Sequence, residues 1–202
     1  MNVVYEDNHL IVLNKPAGLL TQPSGTAQDS LESLLKAWLK KKYDKPGNVF
    51  AEAIHRLDKD ASGLVLFAKT SKALKRLNAM MRQKEYKKIY TLSVEGSLEN
   101  KEGTLEHFLL HASHRSRVAK AHEKEAKLAR LHYRVINGST LEVELETGRY
   151  HQIRCQMAAI GHPILGDTKY GAKAWNKVGI ALHHASLSFP HPISKELLTL
   201  TS

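Results

Sequence analysis

Asp58 lies between Arg56 and Lys59 in the run H-R-L-D-K-D-A-S-G-L-V-L-F-A-K-T, residues 55–70. A carboxylate in a basic pocket is suited to act as a nucleophile or base, because nearby arginines keep it ionised against the cost of burial. The same residue also suits a plain turn before a strand, with Ser62 and Gly63 completing it. The local sequence leaves both readings open. A second cluster, T-G-R-Y-H-Q-I-R at 147–154, leaves a strand through Gly148 and enters a helix. Arg149, His151, Gln152 and Arg154 would then gather at a helix N-terminus, a place suited to anions. His151 and Arg154 stand three apart, which makes them neighbours on that helix.

Other chemistries find less support. The chain has twelve histidines. Even so, His111, His114, His122 and His132 match no ligand spacing, and Ala126 stands where H-E-x-x-H needs its second histidine. No metal site is therefore expected. His151 and Cys155 at i and i+4 could form a thiolate pair, but a mid-helix cysteine is more often a small core residue. No glycine-rich phosphate loop is present, which argues against nucleotide-triphosphate chemistry and a nucleotide cofactor. Thirty Lys and Arg against twenty Asp and Glu give a formal charge of +10. That excess favours a polyanionic partner, nucleic acid first, through counterion release. A membrane is set aside, since no basic amphipathic helix, lipidation signal or long apolar span appears. With no visible secretory signal, a cytoplasmic monomer is expected, and the lone Cys155 excludes an intrachain disulfide.

The elements that must position these residues follow from periodicity. Residues 3–14, V-V-Y-E-D-N-H-L-I-V-L-N, read as a hairpin turning at Asp7 and Asn8. Leu31, Leu34, Leu35, Trp38 and Leu39 have amphipathic-helix spacing, capped by Asp29 or Ser30. Leu64 to Ala68 form a continuous apolar strand. A helix follows from about Lys72 to Lys84, with Leu74, Leu77 and Met81 inward and Thr70 or Ser71 as cap. Tyr90–Val94 and Thr104–Leu110 read as strands, and 111–134 as an exposed arm or irregular hairpin. L-E-V-E-L-E-T at 141–147 alternates cleanly, so Leu141, Val143 and Leu145 share one face and three glutamates the other. His151 to Ile160 suits a short helix stopped by Gly161 and Pro163. Together these predict one α+β domain over 1–202, a mostly antiparallel mixed β-sheet flanked by helices and loops.

The same blocks, in order, resemble the pseudouridine synthases of the RluA type. They are N-K-P-A-G at 14–18, the 55–69 run, K-I-Y at 88–90, T-G-R-Y-H-Q-I-R at 147–154, G-H-P-I-L-G-D-T-K-Y-G at 161–171, L-H-H-A at 182–185 and F-P-H-P at 189–192. The resemblance covers nearly the whole chain. It implies the pseudouridine synthase fold and an isomerase that converts uridine to pseudouridine in ribosomal or transfer RNA without a cofactor. By this resemblance Asp58 is the catalytic carboxylate, Tyr90 stacks on the target base and takes part in proton removal from C5, and Arg154 pairs with Asp58. Arg56 displaces the uridine from its stack and Leu182 packs near the uracil. His55, Arg149, His151 and Gln152 complete the substrate-binding set.

Physical chemistry agrees with these roles. A base inside folded RNA must be extruded, which calls for an aromatic platform, a residue that fills the gap and an apolar wall. An adjacent guanidinium lowers a carboxylate pKa by roughly one to three units. Departures from the family pattern are Ala61 and Tyr150, where Thr or Ser and Thr are usual, and Leu131, where Thr is usual. The motifs start almost at the N-terminus, so recognition is expected from the catalytic domain's own basic surface. The alternative reading is a non-catalytic RNA-binding or folding module on the same scaffold. A histidine-dependent ribonuclease is a distant third.

Overall fold

A computed structural model describes residues 1–202 with the exception of Thr26. In chain order its elements are β1 (Val3–Glu6), β2 (Leu10–Lys15), α1 (Leu31–Lys42), β3 (Glu52–Ala53), β4 (Ser62–Ala68) and α2 (Ser71–Arg82). These are followed by β5 (Lys87–Ser93), β6 (Glu102–Ala112), β7 (Arg115–Ala119), β8 (Lys127–Asn137) and β9 (Thr140–Leu145). The chain ends with α3 (Gln152–Ala159), a single 3₁₀ turn at Thr168–Tyr170, β10 (Leu182–Pro190) and β11 (Leu197–Thr201). Among the described residues the chain thus forms eleven strands and three α-helices, the expected α+β class with a mostly antiparallel mixed sheet. It divides into two compact units, Met1–Lys87 with His184–Ser202, and Lys88–His183.

In the first unit the strand order is β1-β2-β4-β10, with β3 on β4 and β11 on β10. The run L-I-V-L of β2 is buried at every position because it is a central strand, paired on one side with β1 and on the other with β4. Leu10 and Val12 join Leu64, Leu66, Leu77, Leu187 and Phe189 in one core under α2. Of the proposed caps, Ser30 closes α1 and Thr70 closes α2, each hydroxyl accepting from the N3 backbone N–H. The inward stripes differ from expectation. On α1, Leu31, Leu35 and Leu39 are buried while Leu34 is 39% exposed. On α2 the buried set is Ala73, Leu77 and Met80, with Leu74 and Met81 at the core's margin. The spacing finds the helix but not the rotation about its axis, which the covering strands decide.

In the second unit the order is β5-β9-β8-β6-β7. The segment 111–134, read from sequence as an arm or irregular hairpin, instead contains β7 and the first part of β8 in regular register: Leu109 faces Val118, and Leu105 faces Leu131. Its cations hide the period because they sit at outward positions, while Ala129, Leu131 and Tyr133 alternate inward. Outward glutamates of β9 and just beyond it are likewise paired. Glu142 meets Arg134, and Glu146 meets His132 and Arg130. The final helix is shorter than the 151–160 expected, since His151 takes left-handed backbone angles (φ 50°) ahead of α3.

Gly63, in the S-G of the Asp58 run, shows how closely the first unit is built. It has φ 116°, and a Cβ there would lie 2.4 Å from the backbone nitrogen of His184. Backbone cannot move aside as a side-chain tip can, so only glycine fits. Gly63→Ala is expected to lower the unfolding free energy by more than about 3 kcal/mol, read as the shift in urea midpoint.

Candidate active site

Asp58 is half-buried between an exposed Arg56 and a buried Leu57 on one side and an exposed Lys59 on the other. The backbone around it is held at both neighbours. Thr21 Oγ1 donates to the Leu57 carbonyl at 2.9 Å and accepts from the Leu57 N–H at 3.1 Å. The Lys59 carbonyl accepts from the Gly18 N–H at 2.8 Å and from Lys15 Nζ at 3.2 Å. Asp58's own carbonyl accepts from the Ala61 N–H at 3.2 Å, closing the turn that leads into β4. The turn reading of Asp58 therefore holds for its backbone.

Lys15 is the residue the sequence reading missed. It ends β2, is 0% exposed, and donates to the carbonyls of Pro16 (2.9 Å), Leu19 (2.7 Å) and Lys59. Burial pulls its pKa down to about 8, against the attraction of Asp58 and Asp60, which favours the ammonium. The available signal was a lysine closing the apolar run L-I-V-L-N-K, where a cation must be partnered. His55, a predicted substrate residue, has contacts within its own unit. Its Nε2 accepts from the Leu66 N–H at 3.3 Å and its ring meets His184 edge-on at 5.3 Å.

In the second unit, Tyr90 is buried on β5 opposite Val143, and Leu182 is buried where β10 begins. Arg154 is 2% exposed and is gripped by Asp167, its Nε donating at 2.7 Å and its Nη2 at 2.8 Å. Asp167 thus accounts for two of the guanidinium's five N–H donors and sets its plane. Nη1 lies 3.2 Å from His151 Nε2. Arginine only donates, so Nε2 is assigned as the acceptor, and Nδ1–H then donates to the Tyr170 oxygen at 3.1 Å. Tyr170 also accepts from the Ser116 N–H at 2.7 Å, and burial holds its phenol well above the usual range. Neither Asp167 nor Tyr170 was singled out from the sequence, although both lie in the 161–171 block.

Gln152 is committed to the loop. Its carbonyl oxygen accepts from Thr147 Oγ1 and the Arg149 N–H, and its amide donates to the Arg130 carbonyl. Arg149 is exposed, with Nε on the Leu128 carbonyl at 2.9 Å. Cys155 is buried and its thiol is pushed up to about 11, which disfavours a thiolate paired with His151.

The family model described as RNA pseudouridylate synthase matches residues 9–159. The chain belongs to the RNA pseudouridylate synthase family. Its relatives place it with the RluA type, whose activity is an isomerisation. Among them, the dual-specificity RNA pseudouridine synthase RluA of Pasteurella multocida is 37% identical over 100% of this chain and 92% of its own length. The uncharacterized RNA pseudouridine synthase YhcT of Bacillus subtilis is 36% identical over 98% of this chain and 67% of its own. The ribosomal large subunit pseudouridine synthase D of Zymomonas mobilis is 37% identical over 96% and 66%. The chain thus spans about two thirds or less of several curated relatives' length. The solved structure of human RNA pseudouridylate synthase domain containing 4 covers 100% of this chain and 87% of its own with a TM-score of 0.82. At 21% identity it supports the fold.

Two predictions concern the supports of this site. Because the folded chain releases the Lys15 proton near pH 8 and the unfolded chain near 10.4, the unfolded state binds more protons between those values. This group's stability contribution therefore rises with pH across that window, while the charge beside Asp58 disappears. RNA-modifying activity is expected to fall above about pH 8, and Lys15→Met to be less active throughout and to lack that alkaline limb in a pH–rate profile. Asp167→Ala leaves the buried Arg154 charge without its bidentate partner, and is expected to cost about 3–5 kcal/mol in urea unfolding.

Proposed function

We propose that the chain isomerises uridine to pseudouridine within structured ribosomal or transfer RNA, with Asp58 as the catalytic carboxylate. The observation that supports this is the loop around Asp58, held through the backbone of Leu57 and Lys59, which places the carboxylate half-buried at the turn into β4. In the reaction the N1–C1′ bond breaks, the uracil turns, and a C5–C1′ bond forms. The C5 proton departs and a proton is taken up at N1, so atoms and charge balance with no redox partner. Attack at C1′, attack at C6 and proton abstraction from the sugar all require Asp58 ionised, and the Lys15 ammonium attracts it.

The remaining roles follow the family motifs. Tyr90 supplies the stacking platform and takes part in removing the C5 proton, and Leu182 supplies an apolar wall. Arg154, its plane set by Asp167, orients the Asp58 carboxylate. The exposed Arg56 enters the RNA and takes the place of the extruded uridine. Arg149 contributes to the basic surface, while His55, His151 and Gln152 hold the RNA-facing loops. The two compact units would work as one catalytic domain, and the excess of cations supplies affinity for RNA.

RNA labelled with tritium at uridine C5 tests this reading. The wild-type chain is expected to release tritium. Asp58→Asn is expected to lower the rate by more than about 10³-fold while its RNA affinity stays within about twofold. Release by the variant at a comparable rate removes Asp58 from the mechanism, and no release by either protein rejects the isomerase reading.

A further inference from the structure

Strand β5 carries a second lysine whose setting the reaction does not yet explain. Side chains alternate along a strand, so Lys88 shares a face with Tyr90 and Leu92. Tyr90 and Leu92 are buried, whereas Lys87 on the opposite face is exposed. Lys88 is therefore a cation at the end of an inward face. Lysines are almost never buried without a partner. Among the described residues, however, Lys88 Nζ has no hydrogen bond and no carboxylate partner. Burial alone holds its pKa below the usual lysine range, with no acidic group acting against it.

The position of the amine indicates what it takes. A Cβ built on Gly148 would lie 3.7 Å from Lys88 Nζ, and among the described residues no atom beyond its own chain neighbours comes nearer. Gly148 and Arg149 are both exposed, so the ammonium emerges beside an open stretch of backbone that a ligand from solution can reach. A compact ammonium with three donors in low-polarity surroundings gains most from an oxyanion. On the reading that the substrate is RNA, the oxyanion at hand is a backbone phosphate. Lys88 and Tyr90 are about 6.6 Å apart along the strand, so a nucleotide stacked on Tyr90 brings its own phosphates into this neighbourhood.

We propose that Lys88 and the exposed backbone at Gly148 form a phosphodiester-binding site that holds the backbone of the target nucleotide in the RNA. The inference rests on the isomerase reading for the identity of the nucleotide, but the site itself is testable without turnover. The pairing would supply the counter-charge the half-buried amine lacks, and it would form only when RNA is bound.

The test has two arms that use bulk ribosomal and transfer RNA labelled at uridine C5. In the first, filter binding to Asp58→Asn is compared with binding to Asp58→Asn carrying Lys88→Met over a range of salt. The second substitution is expected to weaken binding about tenfold at low salt and to reduce the salt slope by about 0.7 to 0.9, the loss of one phosphate contact. Lys88→Arg is expected to restore both. In the second arm, single-turnover tritium release by Lys88→Met is expected to need more enzyme for half-maximal rate and to reach a plateau within about twofold of wild type. If Lys88→Met fails to fold, Lys88→Gln carries the same comparisons. Unchanged affinity and salt slope overturn the proposal. So does a plateau that collapses with binding intact, since Lys88 would then act on the reacting base rather than on the backbone. Failure of the wild type to release tritium would reject the isomerase reading but leave the first arm able to support or overturn the phosphate site.

Discussion

The structure of the first unit depends on where two backbone carbonyls go. Those of Leu57 and Lys59, on either side of Asp58, are both held from the end of β2 and the segment that follows it, one by Thr21 and the other by Gly18 and Lys15. A loop between a two-residue strand and a buried one would otherwise sample many conformations, and fixing each residue costs about 1–2 kcal/mol of backbone entropy. Here that cost falls on the folding of β2 and β4, before any RNA arrives. Lys15 anchors the arrangement because it cannot leave: three carbonyls receive its ammonium in a site closed to water. Gly63 sets the other end, since its bare Cα lets β4 lie directly against His184.

The second unit applies the same logic to side chains. Arg154 is presented by α3, but its orientation comes from Asp167 in the loop that follows, and His151 and Tyr170 extend the chain of contacts to Ser116 at β7. A buried guanidinium held in this way keeps one plane, as the role proposed for it in orienting a carboxylate requires. The left-handed turn at His151 is the local strain that brings the imidazole back onto Arg154.

Much of this was legible in the sequence, for identifiable reasons. The apolar run of β4, the clean alternation of β9 and the capping residues Ser30 and Thr70 encode their elements locally. The motif blocks named Asp58, Tyr90 and Arg154 as residues to watch. What escaped detection depends on contacts distant in sequence. Nothing near Lys15 says that its amine will meet Lys59, 44 positions away. Nothing near Arg154 says that Asp167, in the loop after α3, will grip it. The strands β7 and β8 were hidden because basic residues at outward positions diluted the hydrophobic period, and Leu34 looked inward because helical spacing alone does not reveal how far a neighbouring sheet reaches.

The claim on which the rest stands is that the Asp58 carboxylate converts uridine in cellular RNA. Mapping pseudouridine by sequencing in cells that lack this gene, and in the same cells carrying either the wild-type chain or Asp58→Asn, tests it most directly. The account predicts that specific pseudouridines disappear with the gene, return with the wild-type chain and stay absent with the variant. An identical map in all of these cells, or restoration by Asp58→Asn, would contradict it.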